Sequence, residues 1–134
     1  MKNIRILIVE DEFLSRKLVS HYVEKYGPVD IAVNGQEALV AVKSAYEEGT
    51  PYDVIFLDIM MPDKDGLTVL KEIREYEKQR GVSPSDEVKI VMTTALGDAK
   101  NVMTAFRNLC EAYITKPYSE EAFTRELKKL GLIE

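Results

Sequence analysis

The chain has 134 residues, 46% of them hydrophobic and 31% charged, the size and balance of one folded domain with a single core, which excludes a disordered or fibrous chain. Acids outnumber Lys and Arg by 23 to 18, so there is no general basic field of the kind that direct nucleic-acid or anionic-membrane binding requires. The single cysteine, Cys110, allows no internal disulfide, MKNIRILIVEDE turns acidic too early for a signal-peptide core, and no apolar run approaches the roughly 20 residues of a membrane span; a reducing cytoplasm is the expected setting.

In chain order, short apolar runs alternate with helical periodicity. IRILIV (4–9) reads as a first strand covered on both faces. In the helical stretch that follows, Leu14, Leu18, Tyr22, Val23 and Tyr26 are expected to line one face, with the lone histidine, His21, on the polar side. VDIAV (29–33) is the second strand. Asn34 with Glu37 makes a capping box for a helix whose apolar face is Ala38, Leu39, Val42, Ala45 and Tyr46. YDVIFL (52–57) is the third strand, and Val69, Leu70, Ile73 and Tyr76 serve the third helix. QRGVSPSDE (79–87) is the one long polar loop before the fourth strand, VKIVMT (88–93). Asp98 is the expected cap of a fourth helical stretch carrying Ala99, Val102, Met103, Phe106 and Leu109. AYIT (112–115) is the fifth strand, and Ser119 caps a last helix with Phe123, Leu127 and Leu130 inward.

Strict βα alternation predicts an α/β fold, a doubly wound parallel sheet of five strands with five helices, over residues 1–134 as one domain. Such sheets bind ligands at the carboxyl ends of their strands. Those ends are Glu10-Asp11-Glu12, Asp58, Thr93-Thr94-Ala95 and Thr115-Lys116-Pro117. Acids, a hydroxyl and a lysine are therefore expected on one rim. Taken singly each has a plain structural reading: Asp58 as a turn former, Lys116 as a solvated surface charge, Tyr113 as core.

Taken together, the Glu10-Asp11 pair, VIFLDIMMPDKDG (54–66), MTTA (92–95) and YITKP (113–117) resemble, in order and spacing, the receiver domain of two-component response regulators. The likeness is to the stand-alone kind, similar to the chemotaxis response regulator, and covers about residues 3–131. It implies the flavodoxin-like strand order 2-1-3-4-5. It implies that Asp58 is the phosphoacceptor, taking a phosphoryl group from a histidine kinase or histidine phosphotransfer protein. Asp11 and Asp58 would ligate Mg²⁺ directly, Met60 through its backbone carbonyl and Glu10 through water. Thr94 and Lys116 would stabilise the phosphoryl oxygens, Thr94 and Tyr113 would form a switch that changes affinity for a protein effector, and Pro117 would follow a cis peptide bond that aims Lys116 inward. With that order adopted, strands ~4.8 Å apart bring the acids beside Asp58, and such carboxylates repel unless a hard divalent cation lies among them.

Three functions follow: a stand-alone phosphorylation-switched binding module with no output domain, a phosphorelay carrier passing its phosphoryl group to a histidine phosphotransfer protein, or an enzyme with an aspartyl-phosphate intermediate. The last would want Asp-x-Asp at the nucleophile, where this chain has Asp58-Ile59-Met60. A flavodoxin-type cofactor carrier would want a hydroxyl- or glycine-rich loop after the first strand, where this chain is acidic. Two departures from the family pattern stand out. Leu109-Cys110 replaces a usual Gly-Ala pair, with Asn108 as the expected substitute cap. Met60 and Leu96, two residues past Asp58 and Thr94, are apolar, from which slow self-dephosphorylation is expected; the chain is expected to catalyse only its own phosphorylation and that slow loss, not to be an enzyme.

Overall fold

Strands with no polar side chain to solvate must be covered from both sides, and the three central apolar runs, 6–9, 54–57 and 90–92, are. The computed structural model describes residues 3–95 and 109–134. Its strands β1 (Ile6–Val9), β2 (Val29–Ala32), β3 (Val54–Asp58), β4 (Lys89–Thr94) and β5 (Ala112–Thr115) form one sheet in the order β2-β1-β3-β4-β5, every pair parallel. Four helices lie among the described residues: α1 (Phe13–Val23), α2 (Gly35–Glu47), α3 (Gly66–Arg80) and α4 (Glu120–Lys129). The expected helical stretch around Ala99, Val102, Met103 and Phe106, its caps Asp98 and Asn108, and Leu96 lie outside the described residues.

Because successive strand side chains alternate, the sheet divides its apolar residues between two layers. Leu7, Val9, Ile55, Leu57, Ile90 and Met92 share a core with α2 and α3. Ile6, Ile8, Val54, Phe56, Val91 and Ile114 share the other with α1 and α4. There Phe56 and Phe123 meet edge-on with ring centroids 5.1 Å apart, a geometry that contributes about 0.5–1.5 kcal/mol beyond the area it buries.

Caps set the helix starts. Asn34 accepts from the Glu37 N–H at 2.8 Å, and Glu37 returns to the N–H of Val33 at 2.9 Å, so the expected box closes one residue early. Ser119 caps α4 through the Ala122 N–H.

Two expectations for helix faces need correction. Leu14 and Leu18 are exposed, Leu14 by 71%, while Val19 and Val23 are buried. At roughly 100° per residue, Val19, Tyr22, Val23 and Tyr26 form the inward stripe, and Leu14 falls off it. In α3 the core face includes charge: Arg74 and Glu77 are 8% and 0% exposed. Arg74 donates to Glu77 Oε1 at 2.7 Å, to the Val88 carbonyl at 2.9 Å, to the Leu109 carbonyl at 2.7 Å and to Glu111 Oε1 at 3.0 Å. Glu77 Oε2 accepts from the Tyr46 hydroxyl and, at 2.9 Å, from the Val88 N–H. At the Leu109-Cys110 departure, Arg74 thus satisfies the Leu109 carbonyl. Cys110 is buried beside it, and burial pushes its thiol up to about 11.

Candidate functional site

The acid-rich segment after β1 divides its carboxylates by local hydrogen bonding. Glu12 is the N-cap of α1 and accepts from the N–H groups of Leu14 at 3.0 Å and Ser15 at 3.1 Å, which turns it toward its own helix. Glu10 is instead buried, at 2% exposed, with its N–H tied to the Ala32 carbonyl at 3.1 Å. Asp11 between them is exposed.

Asp58 is the last residue of β3 and only 1% exposed. It lies in register with Thr93 of β4. The chain leaves it by a turn in which the Met60 N–H donates to Asp58 Oδ1 at 3.3 Å while the Met60 side chain is 65% exposed. Asp65 then caps α3 by accepting from the Thr68 N–H at 2.9 Å. Gly66 opens that helix against the strand end: its N–H donates to the Ile59 carbonyl at 2.9 Å, and a Cβ there would stand 2.2 Å from the Asp58 carbonyl oxygen. No side chain fits. Sequence reasoning passed over Gly66, although the Asp-Gly that closes DKDG is a signal of close backbone approach.

Carboxylate oxygens of Glu10, Asp11 and Asp58 lie within 4.8 Å of one another. Burial and the adjoining Asp58 push the Glu10 carboxyl up to about 8. Burial also raises Asp58, against the nearby Lys116 ammonium that lowers it. Lys116 Nζ sits 3.6 Å from Glu10 Oε1, where its positive charge works against the rise at Glu10. The backbone carries it there: the Lys116 N–H donates to the Thr94 carbonyl at 2.8 Å, and the Lys116–Pro117 peptide is cis. Thr94 is fully buried at the end of β4. Tyr113, by contrast, lies on β5 opposite Met92, two positions below Thr94 in register, and is 43% exposed.

Three buried side-chain oxygens among the described residues have no hydrogen-bond partner: Glu10 Oε1, Thr94 Oγ1 and the Tyr118 hydroxyl. Buried polar atoms are almost always partnered. Repelling carboxylates, all-oxygen donors and unmet buried oxygens fit a hard divalent cation such as Mg²⁺ better than a soft metal.

The family model for the response regulator receiver domain matches residues 6–128, and the chain belongs to that family, the phosphorylation-based signalling domains of two-component systems. Among its relatives, the transcriptional regulatory protein ResD of Bacillus subtilis is 35% identical over 127 residues, 94% of this chain and 47% of ResD. Hybrid signal transduction histidine kinase L of Dictyostelium discoideum is 32% identical over 128 residues, 95% of this chain and 7% of that protein. The chain thus spans about half, or less, of the length of these relatives. A chain in the co-crystal structure of the Saccharomyces cerevisiae histidine phosphotransfer signalling protein Ypd1 with the receiver domain of its downstream response regulator Ssk1 matches with a TM-score of 0.79 and 30% identity, covering 96% of this chain and 89% of that one. Vibrio cholerae chemotaxis protein CheY4 shares the fold, with a TM-score of 0.79 at 22% identity, covering 96% and 99%. No helix among the described residues is long and apolar enough to cross a membrane.

Proposed function

We propose that Asp58 is the phosphoacceptor of a Mg²⁺-dependent switch, with a histidine kinase or histidine phosphotransfer protein as donor and a protein effector as output. The observation that carries this reading is the Asp58 carboxylate, buried within 4.8 Å of two other acids, on a rim where buried oxygens of Glu10 and Thr94 have no partner. Such a cluster is costly unless a ligand completes it.

Asp11, Asp58 and the Met60 carbonyl would hold Mg²⁺, with Glu10 ordering water beside it. When bound, the ion neutralises the carboxylates and the equatorial phosphoryl oxygens. The rest is done by the chain. An Asp58 oxygen attacks phosphorus in line, the P–N bond to the donor histidine breaks, and the imidazole nitrogen keeps the electron pair. Asp58 suits this because the Met60 N–H orients its carboxylate and Gly66 holds its peptide against α3. Lys116 turns from Glu10 to a phosphoryl oxygen, a reach that its long stem allows. The Thr94 hydroxyl donates to another oxygen, and its movement with Tyr113 changes the affinity of the face that carries β5.

In this reading the chain acts in the cytoplasm as a receiver unit. It catalyses only its own phosphorylation and a slow loss of the group, since the apolar Met60 side chain cannot orient an attacking water. The likeness to the Ssk1 receiver, crystallised with its phosphotransfer protein, supports a phosphotransfer protein as donor. The test is intact-mass labelling by a small-molecule phosphodonor with Mg²⁺, followed by a decay time course. One phosphoryl group on the wild type and none on Asp58→Asn is expected, with slow decay. Labelling of both proteins, or of neither, overturns the phosphoacceptor, and rapid transfer to a phosphotransfer domain would make the chain a relay carrier instead.

A further inference from the structure

Of the three unpartnered buried oxygens, the proposed reaction employs those of Glu10 and Thr94 and leaves the Tyr118 hydroxyl without a task. A phenylalanine would fill the same space without burying a polar atom, so the hydroxyl calls for a partner that comes and goes.

The Tyr118 ring is held by the core. It meets Phe123 edge-on, with centroids 5.4 Å apart and planes at 79°, and Phe123 is itself fully buried. Lys116 Nζ stands 5.7 Å from the centre of the Tyr118 ring. The charges that bear on the phenol are the carboxylates of Glu10, Asp58 and Glu12, and its hydroxyl lies beside Thr93 without meeting it at hydrogen-bond geometry. The ring therefore joins the apolar layer, while its polar end belongs to the acid rim.

On the same rim Glu10 Oε1 meets no hydrogen-bond partner among the described residues and stands 3.6 Å from Lys116 Nζ. A donor and an acceptor, both buried and both unmet, are the partners that an ordered water bridges. We infer that Tyr118 is a positioning residue of the acid site: its hydroxyl donates through water to Glu10 and replaces Lys116 there when the lysine turns to a phosphoryl oxygen. This rests on the phosphoacceptor reading of Asp58. Without the hydroxyl, Glu10 keeps its hold on Lys116, and the water beside the cation loses one of its anchors.

Tyr118→Phe removes one oxygen and keeps the ring. Two quantities are read: the Mg²⁺ dissociation constant of the metal-free protein by calorimetric titration, and the labelling rate at saturating small-molecule phosphodonor. The constant rises and the rate falls, each by roughly three- to tenfold, the size of one ordinary hydrogen bond. The thermal midpoint of the metal-free variant is equal to or above that of the wild type, because an unmet buried hydroxyl has gone. Tyr118→Leu, which also removes the ring, lowers that midpoint. Wild-type Mg²⁺ affinity and labelling rate in Tyr118→Phe, with the wild type labelled on Asp58, overturn the inference alone. A lower midpoint with unchanged Mg²⁺ affinity overturns it as well, because the hydroxyl is then structural. A wild type that neither binds Mg²⁺ nor is labelled overturns both the inference and the reading beneath it.

Discussion

At the amino ends of β4 and β5, Arg74 and Glu77 are 8% and 0% exposed, as buried as Glu10 and Asp58, at 2% and 1%, are at the carboxyl ends of β1 and β3. The two clusters obey opposite rules. Arg74 spreads its N–H groups over two carboxylates and two carbonyls, and both Glu77 oxygens accept from fixed donors. Each charge there has its counterpart within the chain. On the other rim three acids crowd together and one lysine stands beside them, 3.6 Å from Glu10, and two buried atoms there, Thr94 Oγ1 and Glu10 Oε1, meet no hydrogen-bond partner. A buried charge is tolerated when it is completed. The first cluster is completed by folding and the second, in the proposed reading, by a ligand, so substitutions in the two should change stability in opposite directions.

The largest effect is expected in the closed cluster. Glu77→Ala leaves the Arg74 guanidinium buried without its nearest acid and should cost about 3–5 kcal/mol, read from the urea midpoint. A loss near zero would mean that Glu111 and the carbonyls suffice, and the contrast would fail.

Asp58→Asn, in the open cluster, should raise the stability of the metal-free protein by about 1 kcal/mol, because a buried carboxylate that burial disfavours is replaced by a neutral amide. Saturating Mg²⁺ should stabilise the wild type, by about 2.7 kcal/mol at a hundredfold excess over the dissociation constant, and should leave Asp58→Asn largely unmoved. Thermal melts with and without Mg²⁺ separate the two contributions. Destabilisation by Asp58→Asn would place this cluster under the same rule as the other.

The smallest effect is a matter of alkaline pH. Tyr46 donates to Glu77 and Tyr52 to Asp30, and burial first, then the accepting carboxylate, holds both phenols above their ordinary value. Above about pH 10 the unfolded chain gives up these protons and the folded chain keeps them. Their contribution is therefore complete below about pH 10 and is lost as pH rises beyond it. The urea midpoint should fall over that range, and Tyr46→Phe with Tyr52→Phe should flatten the fall.

The open cluster was far more legible in the sequence than the closed one. Asp58 ends an apolar run, Glu10-Asp11 follows another, and Lys116 sits before a proline, so strand periodicity alone brings them to one edge. Arg74 and Glu77 were hidden because a charged residue on a helix reads as solvated. Leu70, Arg74 and Glu77 do recur at i, i+4 and i+7, the spacing of an inward face, and that was the available signal. Leu14 and Leu18 misled for the converse reason: apolar side chains near the start of α1 fit a stripe by spacing, but Val19 and Val23 hold the inward angle. The proposed role of Tyr118 could not be read, since an aromatic after Lys-Pro looks like core and its ring packs against the core.

Gly66 ties the two rims together. The start of α3 leaves less than a methyl group of room beside the Asp58 carbonyl, and the same helix bears Arg74 and Glu77 eight and eleven residues on, roughly 12 and 16 Å along its axis. A joint without slack passes displacement on instead of absorbing it. Any tilt of the Asp58 peptide is therefore a push on a lever whose far arm grips the segment leading into β5 through the Leu109 carbonyl and Glu111.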